Sequence, residues 1–208
     1  MLNHSRWVFV HRSARYQCKD KMLLSRTATG KVLMLESILT EESQQLLLNL
    51  PKPRTLLGKE LPADLNGITI GQLSELQEAV KSENMRTIVT ESARILLGVA
   101  PLKVLRHRAD HTIGFAVWVL HEIERISKMW KAISVPPSAE AVQAGVEQLT
   151  SDTFSTIDWF ALRMGIADHD AVMSVPWVRI WRCMKDDNER GQFEKRLREV
   201  MAKQSTKK

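Results

Sequence analysis

From Gly67 onward the apolar residues of this 208-residue chain recur every three or four positions, and no stretch alternates as a strand would. That is the helical period, and it constrains the fold strongly, because such a pattern cannot line one face of a pleated strand. Ile70, Leu73, Leu76 and Val80 follow Thr69-Ile-Gly-Gln72, which has the T-x-x-Q form of a capping box. Asn84 starts a second run carrying Met85, Ile88, Val89, Ile95 and Leu96, and Gly98 stops it. Pro101 breaks the chain before LKVLRHRA. Asp110 opens the longest predicted helix, with Ile113, Val117, Leu120, Ile126 and Trp130 on its buried stripe. Ser138 caps AEAVQAGVEQLT, and Thr153 to Met164 form a helix that Gly165 ends. A short helical turn, ADHDAVMS, precedes Pro176, which starts WVRIWRCMKDDNERGQFEKRLREVM with a weak point at Gly191. The expected fold is all-α, an irregular bundle of six to seven helices.

Residues 1–60 read differently, as a basic N-terminal extension on a helical domain over 61–208. The extension is expected to be a mostly extended arm, with RTATGKVLMLE as a short strand or extended segment. One short helix, TEESQQLLLNL from Thr40, has two acids in its first turn and is closed by Pro51 and Pro53. Gly30-Lys31 is not a phosphate loop, since the earlier glycine and the following Ser or Thr are missing.

The formal net charge is +6, and the excess is concentrated at the ends. Arg6, Arg12, Arg15, Lys19 and Lys21 crowd the first 26 residues, where Asp20 is the only acid. These five are the candidate contacts of one functional reading, a basic helical protein associated with nucleic acid. The competing reading is that both basic ends are solvated tails. A helix-turn-helix forced onto residues 69–98 would offer phosphates only Arg86 and Arg94, with Glu91 opposing them.

Cys18 and Cys183 form no zinc spacing and no disulfide framework, so a reducing, intracellular setting is expected. No apolar run approaches the roughly 20 residues that cross a bilayer, and MLNHSRWVFVHRSARY does not read as a signal peptide. His107 and His111 are four apart, but Arg106 and Arg108 flank them and disfavour a dication. His121-Glu122 lacks the second histidine of a zinc motif, because Arg125 stands in its place. Asp168-His169-Asp170 reads as a capped helix start, and Cys183 as a small apolar helical residue. No catalytic residue, metal site or cofactor is expected.

Trp177 and Trp181 are four apart on one helical face, and Trp159, Phe160 and Met164 also fall at helical spacing. Such aromatics either anchor a helix to the core or, with Arg179 and Arg182 beside them, form a hot spot for a protein partner.

The order of elements carries a family resemblance over about residues 61–200. LPADLNGITIGQLSEL is followed by two or three helices, then PPSAEAVQAGVEQLTS, FSTIDWFALRMGIADHDAVMSVPWVRIWRCM and finally FEKRL. This resembles the helical tail assembly chaperones of long-tailed bacteriophages of gut bacteria. There an "itigql" start opens the first helix, a proline-led element introduces the last, and a Phe-x-x-Arg/Lys-Leu ending follows. The resemblance implies a non-enzymatic protein of the host cell cytoplasm that binds the tape-measure protein, keeps it soluble and assists tail-tube subunits. It implies a face with apolar anchors, for which Trp177, Trp181 and Arg179 are the candidates, supported by Trp159 and Phe160.

Overall fold

The computed structural model of the chain describes residue 24 and residues 26–34, 41–148 and 153–205. The described helices are α1 (Thr29–Met34), α2 (Glu41–Leu48), α3 (Ile70–Lys81), α4 (Met85–Leu97), α5 (Pro101–Leu105) and α6 (Ala109–Ile133). They continue as α7 (Ala139–Gln143), α8 (Thr153–Met164), α9 (His169–Met173) and α10 (Trp177–Ser205), with a 3-10 turn at Val146–Gln148. A two-residue hairpin, β1 (Thr55–Leu56) paired antiparallel with β2 (Lys59–Glu60), is the one sheet among the described residues. The fold is all-α. It has more helices than the six or seven expected, because α1 and α5, of six and five residues, are too short to display a hydrophobic period.

Local sequence signals set several boundaries. Thr69 caps α3 through its hydroxyl, which accepts from the Gln72 N–H at 3.1 Å, while the Gln72 side chain accepts from the Thr69 N–H. Asn84 caps α4 by accepting from the Thr87 N–H, and Gly98 ends it in the left-handed region at φ 61°. Ser138 caps α7 as expected, but the helix stops at Gln143. Gly145, at φ 83°, then diverts the chain into the 3-10 turn. Asp110 is not the cap of α6. Arg108 takes that position, and Asp110 sits in the first turn with its carboxylate on the Arg108 guanidinium.

The first half of α6 is the centre of the body. Every residue from Thr112 through Val119 is buried, so this segment is covered on all sides instead of along one stripe. Phe115, Ala116, Trp118, Val119, Ile123 and Ile126 join the main core with Leu73 and Leu76 of α3, Val89 and Ala93 of α4, and Phe160 of α8. Ile113 and Val117 face the other way and pack with Val32 of α1 and Leu50 after α2. Fully burying one such Leu, Ile, Val or Phe is worth roughly 1.5–3 kcal/mol, so the double coverage of α6 is a large part of what holds the fold.

This second cluster corrects the reading of residues 29–34 as a strand or extended arm. They form α1, which lies against α4, α5 and α6. A six-residue helix has no stability alone; this one is tied down at its start. The N–H and the hydroxyl of Thr29 both donate to the His107 carbonyl, at 2.8 and 2.9 Å, and the Ala109 N–H donates to the Thr27 carbonyl. The rest of the expected arm, residues 1–23, lies outside the described residues.

The N-termini of α3 and α10 are stitched by a backbone bridge between Thr69 and Pro176. The Ile70 N–H donates to the Val175 carbonyl at 2.8 Å, and the Trp177 N–H to the Ile68 carbonyl at 3.2 Å. α10 therefore leaves the core from a fixed point. At 29 residues it is longer than α6, which has 25. It also runs through Gly191 without a break.

Candidate functional site

The structure separates the five residues expected to form one partner-binding face. Trp177 is fully buried, with its ring tilted against Trp130 at 6.5 Å between centroids. Its indole N–H donates to the Leu65 carbonyl at 2.8 Å. A buried indole with its one donor satisfied has nothing left to offer a partner, so Trp177 is corrected to a core anchor. Phe160 is likewise fully buried and is corrected in the same way.

Trp181 and Trp159 are half-buried. The Trp181 indole N–H donates to the Met129 carbonyl at 3.1 Å, and the Lys185 ammonium lies 5.7 Å from its ring centre. The Arg163 guanidinium lies 5.8 Å from the Trp159 ring, and Arg163 also makes a two-pronged pair with Asp187 at 2.9 Å, joining α8 to α10. Both tryptophans are thus flanked by cations while serving the α6–α8–α10 contact. Arg179 is exposed, but it lies two residues from both Trp177 and Trp181, about 200° around the helix, on the opposite flank.

The groups tested for chemistry are spoken for structurally. Asp168 caps α9 by accepting from the Asp170 N–H, and His169 meets Asp158 at 3.4 Å with Phe154 edge-on to its ring. Glu122 accepts from Arg125 and from the Leu65 N–H, and Arg125 reaches on to Asn66. The His107 and His111 rings lie 5.9 Å apart between centroids, tilted by 59°. Burial, then the neighbouring His111 and Arg108, hold the His107 imidazole below its ordinary pKa, which favours the neutral ring. Among the described residues no group of three or more His, Cys, Asp or Glu could hold a metal ion. Nor does any described helix have the length and apolarity to cross a membrane.

For nucleic acid, Arg94 is engaged by Glu75 at 2.6 Å and Glu91 at 2.7 Å, which spends the charge a recognition helix would need. Arg6, Arg12, Arg15, Lys19 and Lys21 lie outside the described residues.

Two surfaces remain. An open groove of about 680 Å³ runs between α3 and the start of α8, lined by Ile70, Leu73, Gln77, Trp130 and Phe154 among others. The larger feature is the second half of α10. Asn188 still donates to the Ile133 carbonyl at 2.8 Å, but every residue from Glu189 through Ser205 is exposed. This segment carries Phe193, Leu197, Val200 and Met201, exposed by 56%, 46%, 52% and 58%. Their spacing places them on one face of the helix. Lys195 is two residues from both Phe193 and Leu197, so it points to the far side of the helix.

This stripe was not singled out in the sequence, although its spacing is visible there. The charges interleaved with it read as part of a solvated basic end. Arg198 instead bonds the backbone carbonyl of Glu194, at 3.3 Å, and leaves the apolar stripe uncovered.

Compared with protein-family models, with curated proteins and with solved structures, the chain has no match in any of the three.

Proposed function

We propose that this chain is a non-enzymatic helical chaperone. It would act as the tail assembly chaperones of long-tailed phages do, holding amphipathic helices of the tape-measure protein in the host cytoplasm while tail-tube subunits assemble. The observation that carries this reading is the projecting half of α10, a rooted helix with an apolar stripe of four side chains that none of the described residues buries. A stripe at this spacing suits a helix–helix contact, read as anchors at i, i+4, i+7 and i+8. The order of elements from the T-x-x-Q start to the Phe-Glu-Lys-Arg-Leu ending supports the same reading.

The contact face is thereby relocated. Trp177 and Phe160 build the platform from which α10 leaves, Trp159 and Trp181 brace it, and Phe193, Leu197, Val200 and Met201 meet the client. Co-expression with a tape-measure protein tests the reading. The chaperone should raise the soluble fraction of the client and co-purify with it. Leu197→Ser with Val200→Ser should abolish both effects while leaving the chain folded. Equal client solubility with and without the chain would sink the idea.

A further inference from the structure

α10 is taken below as the capture element of the proposed chaperone. We propose that a second copy of this chain covers the α10 stripe when no client is present, through an antiparallel, two-fold pairing of the segments 189–205.

Charge complementarity selects the occupant and its direction. Within 189–194, Glu189 and Glu194 stand against one base, Arg190, while Asp187 further in is held by Arg163. From residue 195 on the balance inverts, with Arg196, Arg198 and Lys203 against one acid, Glu199, and Lys195 on the far side of the helix. A parallel pair would set acids level with acids and bases level with bases. An antiparallel pair lays the acidic half of each helix along the basic half of the other, twice over by symmetry. With Phe193 of one copy packed on Leu197 of the other, Glu189 comes near the level of Lys203. The present neighbour of Glu189, Lys185 at 3.7 Å on the surface, is a weak contact that leaves the carboxylate able to turn.

The paired length limits the strength. Seventeen residues span roughly 25 Å, so the pair buries little area and is weak. Weak pairing suits a stripe that must be surrendered to a client helix. Because the stripe is exposed from Phe193 to Met201, it can be covered without disturbing the body.

Sedimentation equilibrium of the isolated full chain, from about 1 to 200 µM, tests this over the range where short helix pairs associate. The mass should rise from 23.7 kDa toward twice that value. Leu197→Glu should hold it at the monomer value throughout, with the near-ultraviolet spectrum of the buried tryptophans unchanged. Glu189→Lys and Lys203→Glu should each weaken pairing severalfold, and the double variant should restore it, because only an antiparallel pair brings the two exchanged charges together. A monomer at all concentrations, a dimer indifferent to Leu197→Glu, or a double variant no better than the singles would each overturn the proposal. Client solubility is a separate readout. A monomeric chain that still captures client would remove self-pairing alone, and a dimer that captures nothing would remove the chaperone reading.

Discussion

The indole N–H of Trp177, at the root of α10, donates to the backbone carbonyl of Leu65, 112 positions earlier, across 2.8 Å of fully buried space. The bond joins the loop ahead of α3 to the last helix, beside the backbone bridge between Thr69 and Pro176. It gives Trp177 an architectural role that can be separated from binding.

Trp177→Phe should retain most of the apolar burial but leave the Leu65 carbonyl with only the longer bond from the Ile68 N–H, at 3.4 Å, at a cost of about 0.5–1.5 kcal/mol. Trp177→Ala should cost about 3–5 kcal/mol and threaten folding altogether. Urea denaturation followed by circular dichroism checks both. A loss below 0.5 kcal/mol in Trp177→Ala, on the scale of about 0.5 kcal/mol seen for ordinary surface changes, would contradict the core assignment.

Two glycines in helices should respond in opposite directions to alanine. A Cβ on Gly114 of α6 would lie 2.4 Å from the Pro51 carbonyl oxygen, where the segment after α2 presses against the helix. Gly114→Ala should destabilise by about 1–3 kcal/mol or more, despite alanine's better helix propensity. Gly191 of α10 has open space around it, so Gly191→Ala should stiffen the projecting helix by about 0.5–1 kcal/mol. Thermal melts and helicity of the two variants decide the matter.

Glu122 should contribute to the acid limb of stability. Burial pushes its carboxyl up, but the Arg125 hydrogen bonds, the Leu65 N–H and the Arg125 and Lys52 charges outweigh burial, and the group ends below its ordinary value. A carboxylate with a depressed folded pKa stabilises fully above the unfolded value of about 4.3, and this is lost as pH falls through the lower folded value. Glu122→Gln should therefore lower stability at pH 7, by about 1 kcal/mol for the weakened charge-assisted bonds, and flatten the stability profile below about pH 4.3. Urea midpoints of both proteins between pH 7 and pH 2.5 provide the comparison; parallel curves would refute it.

Thr29 is fully buried, and its hydroxyl shares the His107 carbonyl with its own N–H. Thr29→Val keeps the shape and removes one of these two bonds, so a cost of about 1 kcal/mol is expected, concentrated in α1. Hydrogen exchange should quicken over residues 29–34 while α3 and α4 keep their protection. Uniform acceleration would mean that α1 does not open separately.

Much of the helical layout is readable along the chain because its signals are local. The capping box at Thr69 and Gln72, the Asn84 cap, the left-handed stop at Gly98 and the start after Pro176 each depend on groups within a few residues of one another. The seat of α1 is not readable this way. Thr29 reaches its acceptor 78 positions away, and the six-residue helix it opens has no period long enough to recognise.

The sequence by itself determined that the chain is all-α, where its longer helices begin, and that apolar stripes run along them. Only the tertiary structure decided what each stripe faces. Trp177 and Trp181 share one face at the root of α10, as Phe193 and Leu197 do near its end. The first pair turned inward against Leu65 and Met129, and the second stayed in solvent. The physical reason is that spacing fixes which residues share a face, whereas burial depends on which distant segments arrive to cover it.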